Sequence, residues 1–401
     1  MVSHQCQTFI GHLRKVGLYI LELLGCLETI TKLLTIRQID LLHRVQVNLK
    51  RDFDSQFRAG HLAHYYQVWQ SLEAPPTILK IIREGYRIPF QAKPPLIWPG
   101  KMPCQETPYT KEMQTQIHIL KQMRVLESAQ LSPSYLSKLF LIPKSDGTSR
   151  PIFNLRRLNK YVHVSKFRLI NLQRIPSFLQ KNDWLVKIDI SNAYFHLAIH
   201  PSHRRYLRLV FKNQLLQMTC LPFGLASAPK IFATLSNWVA QILRNKGIRI
   251  VVYLDDYFLA HQDRLILKEH TNLTIEILES LGWQINYKKS TLLPQKKLQF
   301  LGIMWNPFQN KKYLPTEKIR NLKEKIWSFV KKGRVSLKEI QSLVGVLNFS
   351  SFAVPYGRLN FRNLLKFASQ LSDDPRRRYS LPRIIHVELA WWLRHCQHSS
   401  I

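Results

Sequence analysis

Residues Val251 to Ala260 read VVYLDDYFLA. Apolar runs flank two adjacent carboxylates, Asp255 and Asp256. Burying unpaired ionised carboxylates is costly, so the stretch is not one uninterrupted buried strand. VVY and YFLA are strand-like, and the polar centre reads as the tip of a hairpin. Leu-Asp and Asp-Asp are not the Asn-Gly or Asp-Gly pairs that tight two-residue turns favour. Turn chemistry therefore did not select these acids. A third acid, Asp189, lies in WLVKIDISNAYFHLAI, near the end of the strand-like run Leu185, Val186, Ile188, Ile190. On neighbouring strands the three would gather negative charge at one point, which divalent cations would make tolerable. Mg²⁺ prefers one or two carboxylates with substrate phosphates and water. Two such ions can clamp the attacking and leaving oxygens of an in-line phosphoryl displacement.

The rest of the composition points the same way. Among 401 residues, 59 Lys and Arg stand against 25 Asp and Glu, a net charge of +34. A balance that basic calls for a polyanionic partner, and nucleic acid fits best. Hydrophobic residues make up 45% of the chain, which excludes a disordered polymer and permits two or three domains. The most apolar stretch, VGLYILELLGCLETITKLLTI at 16–36, is broken by Glu22, Glu28 and Lys32. It is too interrupted for a membrane span and lacks a cleavage site, so it reads as an amphipathic helix. The five cysteines are scattered, without a CxxC pair. That disfavours a disulfide framework or zinc site and suits an intracellular location, cytoplasm or nucleus. His196, His200 and His203 have metal-like spacing but follow a strand-like segment and straddle Pro201. They would not share a helical face, so they read as structural or surface residues.

Residues 1–73 read as a basic helical extension. Prolines recur from Pro75 to Pro108, so 74–110 reads as an extended connector. A compact α+β region spans 111–305. From 306 to 372 the pattern turns helical. TEKIRNLKEKIWSFVKKG starts at Thr316, a candidate N-cap, with Ile319, Leu322, Ile326 and Phe329 as an apolar stripe. SLKEIQSLVGVLNF opens on a capping box, Ser336 and Glu339. The many lysines on these helices read as a basic clamp for a nucleic-acid backbone. LPFGLASAPKIF joins a tight turn to a helix that Ser227 can cap, that buries Phe232, Leu235, Val239 and Ile242, and that Gly247 ends.

YLDD at 253–256, DISNAYF at 189–195 and LPFGLASAPKIF at 221–232, in this order and spacing, resemble reverse transcriptases. The resemblance is strong over roughly 138–305. AGHLAHYYQVW and GYRIPF upstream, with SLVGVLNFSSFAVPYGRLNFRNLL downstream, look more narrowly like the DIRS group of retrotransposons. The resemblance implies an α+β right-hand polymerase: fingers, a palm of antiparallel sheet with helices, and a helical thumb. It implies RNA-directed DNA synthesis on an RNA template with a DNA primer, an RNA–DNA hybrid product and dNTP substrates. It also implies two Mg²⁺ ions, replaceable by Mn²⁺.

Site residues carry over position by position. Asp189 and Asp255 are the implied principal metal ligands, with Asp256 the third acid and Ile190 contributing its backbone carbonyl. Tyr194 stands where the family places an aromatic gate against a ribose 2′-OH, although Tyr194 and Phe195 could equally just pack. In FLIPKSDGTSRPIFNLRRLNK, Lys144 and Arg150 flank a turn and would reach the incoming triphosphate. The backbone at Phe223 and Gly224 would lie beneath nucleotide and template, Gly224 permitting close approach. Phe223 could equally be a core residue. One of Lys288 and Lys289 would serve near the leaving pyrophosphate; spacing does not settle which. Phe300, Leu301 and Gly302 resemble the primer-gripping turn, or are an ordinary strand and turn.

Two other readings stand beside this one. A catalytically inactive nucleic-acid-binding remnant of a retroelement would not need clustered carboxylates that repel phosphate. A polymerase copying RNA into RNA fits Tyr194 and YLDD poorly. The chain ends at Ile401, soon after ELAWWLRH, which looks like the approach to a ribonuclease H domain. With 373–401 as the start of that connection, the expectation is polymerase activity without RNA cleavage, from a fragment of a longer polyprotein.

Overall fold

The computed structural model describes residues 57–98, 107–143, 147 and 149–397. The apolar stretch at 16–36 and Lys144 lie outside the described residues. In chain order, a short 3₁₀ turn at His61–Tyr65 leads into α1 (Tyr66–Ser71), α2 (Pro76–Glu84) and α3 (Lys111–Gln122). Next come β1 (Leu126–Ser128), β2 (Leu139–Pro143), β3 (Ser149–Phe153), β4 (Trp184–Asp189), β5 (Arg208–Phe211) and β6 (Gln214–Met218). Then follow α4 (Ala228–Asn245), β7 (Ile250–Tyr253), β8 (Asp256–His261), α5 (Arg264–Ser280) and β9 (Thr291–Gln295). The remainder is β10 (Leu298–Phe300), β11 (Ile303–Asn306), β12 (Lys311–Tyr313), α6 (Thr316–Lys331), β13 (Arg334–Val335), α7 (Leu337–Ser350), α8 (Arg362–Ser369), β14 (Tyr379–Ser380) and α9 (Arg383–His395).

The acids sit on an antiparallel sheet of order β7-β8-β4-β9. β8 is buried continuously from Tyr257 to Ala260, the pattern of a strand covered on both faces. α4 and α5 pack against this sheet. Leu185, Val251, Phe258 and Ala260 join a second core with Phe300, Ile303 and the helices after Pro315. Phe258 and Phe300 stack face to face there, centroids 4.4 Å apart. Two smaller three-stranded sheets, β1-β6-β5 and β10-β11-β12, flank the first, and β2 pairs with β3.

The C-terminal helices form one bundle. Leu322, Ile326 and Phe329 of α6 meet Ile340, Leu343 and Leu347 of α7, Leu364 of α8, and Ile385, Leu389 and Trp392 of α9. The buried Glu388 carboxylate on α9 accepts hydrogen bonds from the N–H groups of Asn363 (2.9 Å) and Leu364 (3.0 Å). An anion on the first turn of a helix satisfies donors that have no helical partner. Residues 383–395 thus pack into the same core as 316–369. The capping box of α7 forms as expected, Ser336 and Glu339 each bonding the other's backbone.

Several local expectations are corrected. The stretch 74–110 is not wholly extended: Pro75 and Pro76 start α2, because Pro is tolerated at the N-cap and first helical positions. Thr316 is the first helical residue of α6, and Pro315 occupies its N-cap. Ser227 occupies the N-cap of α4 but makes no capping bond. Along α4 the buried stripe runs through Phe232, Leu235 and Val239 to Leu243, while Ile242 is half-buried. Gly247 follows the end of α4 with φ +81°, a left-handed position as expected.

The segment before the compact region is built into it. Gly60 N–H donates to the Phe195 carbonyl (2.8 Å), and Tyr86 N–H donates to the Ala198 carbonyl (2.8 Å). Trp69 is fully buried, stacks on Trp238 (5.1 Å) and donates its indole N–H to the Leu281 carbonyl (2.9 Å).

Candidate active site

β7 and β8 are joined by a two-residue turn, Leu254-Asp255, closed by the pair Tyr253 and Asp256. Leu254 takes φ +55°. Left-handed backbone at a branched residue costs energy and persists only where its surroundings enforce it. Asp256 opens β8 directly across from Asp189, the last residue of β4. The Ile190 N–H donates to the Asp255 carbonyl (3.1 Å), tying the turn to the strand end. Ile190 itself is buried and bridges Ile285.

The electrostatics are those of a crowded anion site. Burial pushes the Asp255 carboxyl up to about 6, and the charges of Asp256 and Asp189 add to the shift. Burial also raises Asp189, followed by the Asp256 charge. Burial raises Asp256, while Lys187 and Lys289 oppose the rise. The Lys187 ammonium lies 3.7 Å from Asp256 Oδ1, an ion pair too long to be a hydrogen bond. That oxygen is buried and accepts no hydrogen bond. It is a donor atom available to a cation, and carboxylate oxygens suit Mg²⁺. Among the described residues no three His, Cys, Asp or Glu side chains converge into a ready-made cage. The acids form an open cluster, compatible with an ion that draws its other ligands from water and substrate.

Asp189 is held by its backbone. Its N–H donates to Ser290 Oγ (2.9 Å), and its carbonyl accepts from the Asn286 N–H (2.7 Å). Ser290 Oγ in turn donates to the Asn286 carbonyl (2.7 Å). Of the two candidate lysines, Lys289 is the one whose charge acts on all three acids. Both lysines are exposed. Lys289 also borders a cleft with Lys187, Asp256 and the turn Phe300-Leu301-Gly302.

That turn is a two-residue hairpin between β10 and β11, with φ +50° at Leu301 and +76° at Gly302. Both angles positive is the type I′ signature. Phe300 is a core residue that also borders the cleft, beside the turn. A Cβ on Gly302 would collide with Lys318 Nζ of α6, whose ammonium lies over the Phe349 ring at 4.0 Å.

On the other side, Tyr194 packs on Phe223 (centroids 4.8 Å) and edge-on against Phe232 (5.1 Å). Burial, then the Asp255 charge, pushes its hydroxyl up to about 12. Tyr194 and Phe223 are therefore brought together, and both take part in packing. Gly224 has φ +96°, and a Cβ there would meet the Phe153 carbonyl at 2.9 Å. Asn159 clamps this turn: Nδ2 donates to the Gly224 carbonyl (2.8 Å), and Oδ1 accepts from the Ala226 N–H (2.9 Å). Phe153 ends β3, and Arg150 lies exposed on the same strand. His196 is buried; His200 and His203 are half-buried.

Sequence reasoning missed Lys187, Asn159, Asn286, Ser290 and His196 as parts of the site. Lys187 had a signal, a lone cation inside WLVKID two residues before an acid. The others are ordinary polar residues with partners 65 to 101 positions away, beside the local contacts of His196 with Ala193 and of Ser290 with Asn286.

The fold sets Asp189 opposite Asp256 on paired strands, with Asp255 in the adjoining turn. Residues 142–305 match the family described as reverse transcriptase (RNA-dependent DNA polymerase). The chain is similar over this stretch to reverse transcriptase domains and has relatives among viral and retrotransposon polyproteins. It is 27% identical over 212 residues to the genome polyprotein of Petunia vein clearing virus (isolate Shepherd), covering 52% of this chain and 9% of that one. It is 26% identical over 228 residues to the Pro-Pol polyprotein of simian foamy virus type 3, covering 57% and 18%. The Tf2-3 transposon polyprotein of Schizosaccharomyces pombe is 20% identical over 224 residues, covering 56% and 16%. The matched stretches thus span less than a fifth of these relatives. Among solved structures, a foamy viral protease-reverse transcriptase dRH in complex with ds DNA superposes with TM-score 0.62 at 18% identity, covering 84% of this chain and 60% of that one. The foamy viral enzyme in complex with RNA/DNA hybrid gives 0.57 at 18%, covering 83% and 46%. The fold is accordingly the α+β polymerase fold of fingers, palm and helical thumb.

Proposed function

We propose that the protein is an RNA-directed DNA polymerase of a retrotransposon of the DIRS group. It would extend a DNA primer 3′-OH with dNTPs on an RNA template and hold the resulting RNA–DNA hybrid. The carrying observation is that Asp189 and Asp256 face each other on paired strands with Asp255 in the adjoining turn, Asp256 lining a cleft together with Lys289 and the Leu301-Gly302 turn. The net charge of +34 supports a nucleic-acid partner held through phosphates. In this reading 111–305 supplies fingers and palm, 306–372 the thumb, and α9 extends the thumb's core.

Asp189, Asp255 and Asp256, with the Ile190 carbonyl, would hold two Mg²⁺ ions, or Mn²⁺ in their place. When bound, those ions supply the positive charge that an in-line attack on the α-phosphate requires. The chain's own residues do the rest. Lys144 and Arg150 meet the triphosphate from the fingers. Gly224 keeps the turn beneath the nucleotide free of a side chain. Tyr194, fixed by Phe223 and Phe232, presents its ring against a 2′-OH. Lys289, in preference to Lys288, offers a proton to the leaving pyrophosphate. Phe300, Leu301 and Gly302 seat the primer end. Base pairing with the template selects the nucleotide, while the protein reads backbone and shape.

Primer extension on an RNA template with Mg²⁺ tests the reading. Incorporation of dNTPs by the wild type, lost in Asp255→Asn with duplex affinity retained, is the expected result. Duplex binding without incorporation would mean a catalytically inactive remnant. Preferred ribonucleotide incorporation would mean an RNA-copying RNA polymerase.

A further inference from the structure

His196 is fully buried at the end of the 3₁₀ segment Ala193–His196 and touches none of the three acids in the contacts described above. Its ring nevertheless completes a ladder that ends on Asp189. The Gln284 N–H donates to His196 Nε2 (3.0 Å), and Nδ1 faces the Ala193 carbonyl (3.1 Å). A nitrogen accepting from an amide must be unprotonated, so the proton sits on Nδ1 and donates to Ala193. The ring thus acts as a rung between two backbone segments. The following rungs are backbone: Ser191 N–H to the Gln284 carbonyl (2.8 Å), the bridge of Ile190 with Ile285, and Asn286 N–H to the Asp189 carbonyl (2.7 Å). Ser290 Oγ closes the ladder on the Asp189 N–H. The ring has no freedom to leave: Trp283 packs on it at 5.2 Å and is itself edge-on to Phe232.

We infer that His196 is a positioning residue, holding Gln284–Ser290 against Asp189 so that its carboxylate stays aimed at Asp255 and Asp256. The inference rests on the polymerase reading for its catalytic consequence, but not for its geometric one. Only the neutral Nδ1–H tautomer makes both contacts. Burial keeps the ring neutral, pushing its pKa down to about 3. Alanine leaves Gln284 N–H and the Ala193 carbonyl without these partners, whereas glutamine carries both an acceptor and a donor.

The test uses the full chain and two readouts. In His196→Ala, amide hydrogen exchange at Ser191, Gln284 and Asn286 should quicken at least roughly tenfold, with the thumb helices unchanged. In primer extension, kcat should fall roughly tenfold while KM for dNTP holds within about twofold, as expected when an aligned group is misplaced. His196→Gln should restore most of both. Ser290→Ala, at a half-buried position, cuts the far end of the ladder and should quicken exchange at Asp189 and lower kcat, even if His196→Ala fails to fold. Uniformly faster exchange with kcat per folded molecule unchanged would reduce His196 to a stability role and overturn the inference. A wild type without extension activity would overturn the polymerase reading alone, since the exchange pattern still decides whether His196 and Ser290 hold Asp189.

Discussion

Gly224→Ala is the substitution whose cost can be worked most directly. The residue sits at φ +96°, and a Cβ would lie 2.9 Å from the Phe153 carbonyl. Positive φ at an L-residue costs roughly 1–2 kcal/mol. Pressing a methyl into filled space adds about 1–3 kcal/mol if nothing moves. The turn could rotate away, but Asn159 holds it at both the Gly224 carbonyl and the Ala226 N–H. Breaking those two bonds costs about 1 kcal/mol each. The escape is therefore about as expensive as the clash: with the φ cost included, the expected destabilisation is about 2–5 kcal/mol through the clash and about 3–4 kcal/mol through the escape. Denaturant unfolding followed by tryptophan fluorescence measures it. Single-nucleotide extension should show kcat/KM down at least roughly tenfold, because the same turn would underlie the nucleotide. A variant within about 0.5 kcal/mol of wild type and within about twofold in kcat/KM would refute both the close approach and the placement of the platform.

Three further outcomes follow from the geometry. Lys289→Ala should slow extension by roughly a hundredfold, the scale of a lost proton donor, while Lys288→Ala stays within about threefold; equal effects would dissolve the assignment. Ser336→Ala should cost about 1 kcal/mol through loss of the α7 cap, read as a lowered urea midpoint. The Lys332 and Ser336 contacts hold the Glu339 carboxyl at about 2, so its contribution is present above its usual 4.5 and lost as pH falls toward 2; Ser336→Ala should shrink that acid loss. His196 adds an acid sensitivity of the same sign in a higher pH window, because the unfolded chain takes up a proton below 6.5 that the folded ring refuses down to about 3. Wild-type stability relative to His196→Gln should then fall by about 1.4 kcal/mol per pH unit below 6.5, and a flat difference would show that the ring is not held neutral.

The acids were legible because they contradict their surroundings. Two carboxylates within VVYLDDYFLA and one closing WLVKID demand a reason, and hairpin periodicity placed them. The capping box at Ser336 was legible for the same cause, a residue type with a narrow physical use; the sequence marked Gly224 as special, but not that its turn packs on the Phe153 carbonyl. Asn159, Asn286 and Ser290 carry no such mark. Their importance arises from partners 65 to 101 residues distant, which no local pattern encodes. The helix Pro76–Glu84 was hidden by counting prolines without asking where each would fall; two at a helix start do not obstruct it.

The division of labour among the acids was legible only in part, and charge compensation carries the argument further. Asp256 has Lys187 at 3.7 Å and a cross-strand neighbour in Asp189. Asp189 has its backbone pinned and the Asn286 side chain as a hydrogen-bond partner. Asp255 sits in the turn, and its carboxyl is driven to about 6, with Lys289 the smallest of the named influences on it. A backbone hydrogen bond opposes part of that rise, but the one cation named comes last among the influences on it. A cation entering the cluster therefore gains most at Asp255, and the protein loses least by leaving that charge unanswered until the cation arrives. The strained Leu254 is consistent with this: the turn is shaped to present Asp255, and its backbone cost is borne at the position where a cation would repay it.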